Sequence, residues 1–269
     1  MFDLASYIAA LGALALLAVF AWAYSVARRN VSIVDSLWSL KFLLAATVYA
    51  VFAPSLGERG LLILVLVTVW ALRLAGHITW RNWGEGEDHR YQTIRRNNEP
   101  YFVFKSLYIV FGLQAMLAWI ISLPLLAAIH SDAALGILPL GPLDYAGMVL
   151  WMVGMVFEVL GDLQLARFKA DPKNHGKVMD RGLWRYTRHP NYFGEACLWW
   201  GYFLIALAAG GWWSVVSPLL MTLLLLKVSG VALLEKTISE RRPAYRDYIA
   251  RTPAFFPGAP RASAGQHGH

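Results

Sequence analysis

Seven apolar stretches alternate with polar connections, at about 4–27, 33–53, 60–82, 102–129, 142–167, 191–209 and 212–234. Each approaches the ~20 apolar residues that a helix needs to cross a bilayer. None shows the period-two alternation of a half-buried strand. The first stretch, Leu4 to Ala27, is longer than the apolar region of a cleaved signal and has no basic residue before it, so it reads as a spanning helix. The pattern predicts an all-α polytopic membrane protein with seven transmembrane helices. One membrane domain is expected over 1–257, its second half beginning near 142. Ser239 to Ala250 reads as a short amphipathic helix, and the Gly/Ala/Pro-rich end, 258–269, reads as disordered.

Composition supports this reading and charge orients it. Of the 269 residues, 58% are apolar, above the ~45–50% of soluble domains. Twenty of the 24 Lys and Arg fall in or beside the first, third and fifth connections and the C-terminal tail, which lie on one side if there are seven spans. The opposite side carries only Arg59. The positive-inside rule therefore places the N-terminus outside and the C-terminus in the cytoplasm. The net charge of +7 is thus mostly topological, and no nucleic-acid partner is implied. Trp212 and Trp213, after a tight Ala209-Gly-Gly211 corner, fit the interfacial aromatic belt. The single cysteine, Cys197, excludes an internal disulfide and a Cys-rich metal centre, and its apolar surroundings fit a small buried filler.

Ionisable groups inside spans are costly and are candidates for function. The fifth stretch carries Glu158 and Asp162 on one helix face, followed by Gln164 and Arg167. These carboxylates can serve a ligand, or form ion pairs with Arg73 or Lys227. The third stretch places Arg73, His77 and Arg81 near one face; His77 can polarise a carbonyl near neutral pH or join two helices. In the second stretch, Asp35 can act as a general acid or cap a helix, and Lys41 can snorkel outward. Lys227 and Glu235 in the seventh read equally as functional or structural.

The densest chemistry lies in Arg185-Tyr-Thr-Arg-His-Pro-Asn-Tyr-Phe-Gly-Glu195, which runs directly into the sixth apolar stretch. Pro190 suits the first turn of a helix, which sets Asn191 and Glu195 four apart. An Asn and a Glu so placed can pair with a carboxamide or with the amino-acid end of a methyl donor. Tyr186 and Tyr192 can stack on a ring, and the cations of this loop suit phosphates. Lipid-headgroup anchoring is the simpler alternative. A Gly-x-Gly-x-x-Gly turn after a strand, a His-Glu-x-x-His helix, a phosphate-binding Gly-rich loop and a serine nucleophile elbow are all absent from the sequence. Rossmann-type nucleotide binding, zinc proteolysis, nucleotide hydrolysis and α/β-hydrolase chemistry are therefore not indicated, and no metal is expected.

Pro190-Asn-Tyr-Phe-Gly-Glu195, Gly182-Leu-Trp-Arg-Tyr186 before it, and the tail Arg242-Pro-Ala-Tyr-Arg-Asp-Tyr-Ile-Ala-Arg-Thr-Pro-Ala-Phe-Phe256 together resemble the steroid 5α-reductase family, in particular its uncharacterised bacterial branch. The resemblance is good over roughly 155–257; the N-terminal half matches only in hydrophobic layout. It implies a bacterial inner-membrane reductase that uses NADPH on a carbon–carbon double bond conjugated to a ketone. The substrate would be a steroid or another enone lipid entering from the bilayer. By resemblance, Asn191 and Glu195 hold the nicotinamide amide. Asp162, Lys169, Arg185, Tyr186 and Tyr192 line the rest of the cofactor site by the same resemblance, and Arg167, Asn174, Arg188 and Arg246 are added to it as cofactor candidates from the same polar segments. The family's carbonyl-polarising Glu and Tyr have no clear counterpart, and Asp35 and His77 stand in as catalytic candidates by location and chemistry. Arg188-His-Pro-Asn-Tyr192-x-Gly194 also resembles S-adenosylmethionine-dependent membrane methyltransferases of isoprenylcysteine or phospholipids, the alternative reading. A non-enzymatic lipid-binding membrane protein is a third.

Overall fold

A computed structural model of the chain describes residues 2–131, 139–228 and 244–261. Those residues are helical and contain no strand. The expectations for Glu235, for Ser239 to Pro243 and for 262–269 lie outside the described residues. Among the described residues, four helices are long and apolar enough to cross a membrane: α1 (Leu4–Arg28), α4 (Glu58–Asn82), the stretch Phe102–Ile121, and α9 (Pro142–Ala170). Shorter apolar helices cover Trp38–Phe52 and Trp212–Lys227. The contacts divide the chain into two compact units: Met1–Asp144 with Ile205–Ser217, and Tyr145–Leu204 with Pro218–His269.

The first unit contains α1, α2 (Ile33–Ser36), α3 (Trp38–Phe52), α4, α5 (His89–Asn98), α6 (Phe102–Ser106), α7 (Leu113–Ile121) and α8 (Leu123–Ile129). Its helices pack through small and polar residues. On α1, Tyr7, Ala10, Leu14, Ala18, Ala21 and Ser25 recur every three or four residues and are buried, while Leu4, Leu16 and Phe20 stay exposed. This arrangement suits a lipid solvent, where close approach and hydrogen bonds join helices more than apolar burial does. Ser39 Oγ donates to Ala71 O (2.8 Å), joining α3 to α4. Tyr49 and Ser122 share a hydrogen bond of 2.6 Å, and Trp119 donates to Tyr7 O at 2.8 Å. Arg59 forms a bidentate pair with Asp144 (2.8 and 2.9 Å), both groups buried.

Two apolar stretches expected to be single helices are divided. The second pauses at Leu37, between α2 and α3. The fourth passes through a π-helical stretch (Leu107–Gly112) and breaks at Ser122, where ψ is −2°. Pro124 cannot donate in the helical ladder, and at the break the Ser122 Oγ donates to Trp119 O (2.7 Å). The Gly-rich corner forms as expected: Gly210 has φ +75°, and a Cβ on Gly211 would sit 2.6 Å from that of Ala127.

The second unit is organised by α9 and α10 (Pro190–Ala208), with α11 (Val216–Leu223) and α12 (Ala244–Arg251). The two long helices touch backbone to backbone at glycines. A Cβ on Gly154 would lie 2.5 Å from Gly194 O, and one on Gly194 2.5 Å from Gly154 O. A Cβ on Gly201 would meet Gly147 O at 2.8 Å, and one on Gly161 the Pro190 ring at 3.1 Å. Gly147, Gly154 and Gly161 are seven apart, as are Gly194 and Gly201, the spacing that keeps one seam facing a partner over successive turns. Gly154→Ala must push the helices apart and should cost about 1–3 kcal/mol, the usual penalty for overpacking. Gly12→Ala, with nothing within 4 Å of the added carbon, should be neutral or slightly stabilising. Thermal unfolding in detergent checks the contrast; equal midpoints for the two variants would contradict the seam.

Candidate functional site

In the second unit, α9 ends in a cap. Asn174 Nδ2 donates to Phe168 O (3.1 Å), and Asp171 Oδ1 accepts from Lys173 N (2.9 Å), which starts the 3-10 turn Pro172–Asn174. The chain then folds back along α9. Leu183 N donates to Gln164 Oε1 (2.9 Å), and the Trp184 indole donates to Gly161 O (3.0 Å). Gly182, at φ +59°, allows this: a side chain there would both strain the backbone and strike Gln164, 2.5 Å away.

This return delivers Pro190 to the start of α10 and sets it against Gly161. Asn191 then faces the residue after that glycine. Its Nδ2 donates to Asp162 Oδ1 (3.2 Å), and its Oδ1 accepts from Tyr192 N (3.1 Å). Asp162 is 8% exposed, while Asn191, Tyr192 and Glu195 are half-buried. Each end of the Asn191 amide retains one further valence, a second N–H and a second lone pair. Arg167, Lys169, Arg185, Tyr186 and Arg246, the other cofactor candidates, are exposed. The Tyr192 ring stacks on His189, with centroids 5.4 Å apart and planes 5° apart.

Arg188, expected at the cofactor, is 7% exposed and turned onto the tail. Its Nη1 donates to Ile249 O (3.0 Å) and to Thr252 O, and its N–H donates to Pro253 O (2.9 Å). A guanidinium at the carbonyl end of α12 is favoured electrostatically. Thr187 Oγ1 donates to Phe255 O (2.8 Å), Tyr248 to Trp184 O, Arg251 to Asp180 (2.6 Å) and Gly258 N to Tyr186 O (3.0 Å). Burial pushes the Tyr248 phenol up. Arg261 N also donates to Arg251 O (2.8 Å).

In the first unit, Asp35 neither caps α3 nor stands alone. Its Oδ1 accepts from Tyr91 Oη (2.5 Å) and its Oδ2 from Arg90 Nη2 (2.7 Å). Arg90 also donates through Nε to Asp88 Oδ1 (3.0 Å). Burial pushes the Tyr91 phenol well up, and the Asp35 carboxylate adds to this. Burial also opposes the charges on Arg90 and Asp88, but their hydrogen bonds outweigh it: the Arg90 value is raised and that of Asp88 lowered. The segment is fixed by Glu87, which accepts from Val31 N (3.1 Å) and from Arg95 (2.7 and 3.0 Å). Asp88 N donates to Ser32 Oγ (2.8 Å). Lys41 does not snorkel; it is 2% exposed and donates to Gln114 Oε1 (2.7 Å). His77 lies near Trp80, with ring centroids 6.1 Å apart. Tyr91, Arg90 and Gln114 were not among the sequence candidates. Tyr91 and Arg90 sit in the polar stretch between the third and fourth apolar segments, where no periodicity marks an inward face.

The profile of the family described as a protein of unknown function, DUF1295, matches residues 21–252. The chain belongs to this family, which is steroid 5α-reductase-like. The DUF1295 match takes in both clusters, from Asp35 to Arg246. An uncharacterized protein of Schizosaccharomyces pombe is 28% identical over 88% of this chain and 75% of its own length. Local similarity extends to 3-oxo-5-alpha-steroid 4-dehydrogenase 1 of Bos taurus, 32% identical over 26% of this chain and 28% of that protein. The enzyme of the same name from Rattus norvegicus is 34% identical over 26% of this chain and 27% of its own length. The chain thus matches little more than a quarter of these dehydrogenases. No solved structure matches. The apolar helices and these relatives mark an integral membrane protein.

The tail contacts yield a direct expectation for this DUF1295 chain. Arg188→Ala removes the donor that holds Ile249 O and Thr252 O, so α12 should detach and trypsin should cleave after Arg246 and Arg251 at least tenfold faster. Limited proteolysis read by mass spectrometry checks this. Wild-type cleavage rates in the variant would show that the clamp rests on other contacts.

Proposed function

We propose that the chain is a membrane reductase that uses NADPH to reduce a carbon–carbon double bond conjugated to a ketone, in a steroid or other enone lipid entering from the bilayer. In this reading the protein has seven transmembrane helices, its N-terminus outside and its C-terminus in the cytoplasm, in a bacterial inner membrane. Family membership and the local similarity to 3-oxo-5-alpha-steroid 4-dehydrogenases support the reaction class.

The observation that carries the cofactor reading is the Asp162–Asn191 pair at the start of α10, with Glu195 one turn further on. Asp162 accepts one amide N–H of Asn191 and so fixes the plane of the amide. The remaining N–H and lone pair of Asn191, with the Glu195 carboxylate, match the donors and acceptor of a nicotinamide carboxamide. Arg167, Lys169, Arg185 and Arg246 are exposed cations suited to phosphates. Tyr186 and Tyr192 offer ring faces, Asn174 holds the end of α9, and Arg188 contributes by holding the tail. The donor set therefore fits NADPH, which when bound supplies hydride to the β-carbon.

The chain's own residues then handle the proton and the developing charge. Tyr91 and Asp35 form a phenol–carboxylate pair in which Tyr91 now donates to Asp35. When Asp35 takes up a proton, the bond reverses and the Tyr91 O–H is released toward a carbonyl oxygen, where it stabilises the enolate. Arg90 anchors the far oxygen of Asp35 and keeps the pair aligned. His77 is a second candidate donor.

The reading is tested on purified protein with 4-deuterated NADPH and a panel of 3-oxo-Δ4 steroids and acyclic enone lipids. Deuterium should appear at the β-carbon of a reduced product; enone-independent NADPH oxidation, or none, would contradict it. Asn191→Ala and Glu195→Ala should each weaken NADPH binding by about tenfold or more, the loss expected for a removed hydrogen bond to a buried amide. Tyr91→Phe should lower turnover by about 10²–10³-fold, within the usual range for a general acid, with NADPH affinity unchanged. Equal loss of affinity in all three variants would show a common folding defect rather than separate roles.

A further inference from the structure

Lys41 is a charged side chain buried in an apolar helix, and neither its helix nor its burial explains why a cation belongs there. Its contacts do. Nζ donates to Gln114 Oε1 at 2.7 Å, and the ammonium also lies 5.7 Å from the centre of the Trp38 ring. Gln114 Nε2 points at Tyr91 Oη across a long 3.5 Å contact. Tyr91 Oη donates to Asp35 Oδ1 at 2.5 Å, and Arg90 donates to Asp35 Oδ2 at 2.7 Å. Five side chains from α2, α3, α5 and α7 thus form one line.

That line has one permitted direction. Lys41 Nζ donates to Gln114 Oε1, so the oxygen of the Gln114 amide faces Lys41. The NH2 end must then face Tyr91, and an NH2 can only donate. The Tyr91 oxygen is an acceptor on that side, and its own hydrogen is left for Asp35, whose carboxylate is held by Arg90. With no donor at position 41 the Gln114 amide can turn over and present its oxygen to Tyr91, which reverses the polarity felt by the phenol. The charged groups acting on Tyr91 are Asp35, Arg90 and Asp88, and the one acting on Lys41 is Asp35.

We propose that Lys41 is a positioning residue: through Gln114 it fixes which way the Tyr91 proton points and stabilises the negatively charged form of the phenol. Lys41 touches no reacting atom in this scheme. Its catalytic meaning rests on the reading of Tyr91 as the acid for the carbonyl, but its effect on Tyr91 does not, and the test reads Tyr91 alone.

Difluorotyrosine, which ionises at lower pH than tyrosine, is placed at position 91 of the full chain in detergent, and its 19F resonance is followed against pH without substrate or cofactor. Lys41→Met should move the ionisation midpoint up by at least one pH unit, a tenfold fall in the ionisation constant. Gln114→Leu should move it in the same direction, and Lys41→Arg, which keeps a donor and a charge, should restore most of the original value. A midpoint unchanged in both Lys41→Met and Gln114→Leu would overturn the proposal. If Lys41→Met shows no cooperative unfolding transition, Gln114→Leu and Lys41→Arg decide: an unmoved midpoint in the former overturns it. A responsive Tyr91 in a protein that never oxidises NADPH would keep Lys41 in this role and remove the reductase reading instead.

Discussion

The contact of α9 with α10 at Gly154 and Gly194 is the constraint on which the second unit depends. Each glycine places its missing Cβ 2.5 Å from the other's carbonyl oxygen. In lipid, apolar side chains gain nothing by leaving one apolar medium for another, so dispersion and shape must hold two helices together. Glycine removes the side-chain layer and lets the backbones meet. The consequence for chemistry lies at one end of the seam. Gly161 admits Pro190, and so Asn191 reaches the buried Asp162 on the next residue. A helix pair spaced by ordinary side chains would leave Asp162 buried without that amide, at a cost of about 1–3 kcal/mol or more for a charged group.

The first unit solves a different problem, that of keeping ions inside a largely apolar bundle. Arg59 with Asp144 does so by a bidentate pair. The line from Lys41 to Arg90 does so by giving successive groups complementary donors and acceptors. Such networks are costly if half satisfied and directional if complete. The bracket formed by Glu87, Asp88 and Ser32 holds α5 in place, so that Tyr91 meets Asp35 from a short polar helix rather than from a spanning one.

Much of this was legible in the sequence because the bilayer imposes strong patterns. Apolar length located the long helices, and Pro190 announced the start of α10. Asn191 and Asp162, noted separately in the sequence, are brought together by the fold. Other features were legible but went unread: glycines at 147, 154 and 161, and at 194 and 201, carry the seam in their spacing. The break at Ser122 is signalled by Pro124 inside an apolar run. The contact of Tyr91 with Asp35 was not legible, since α5 is polar along most of its length and its partner lies 56 residues away. For Lys41 the sequence left an outward reach open because a lysine near a helix end ordinarily reaches for water; here Gln114, 73 residues on, meets it inside. Arg188 belongs to a motif dense in cations, and only the fold distinguishes the one that faces the tail from those that face solvent.

The cofactor decides between the reductase and its alternatives, and it can be read without knowing the substrate. Purified protein in detergent is titrated in parallel with NADPH and with S-adenosylmethionine while the thermal midpoint is followed, since a ligand that binds only the folded state raises it. A saturable rise with NADPH, reduced in Asn191→Ala, and no response to S-adenosylmethionine is the predicted result. A rise with S-adenosylmethionine alone, or none with either, would contradict the account.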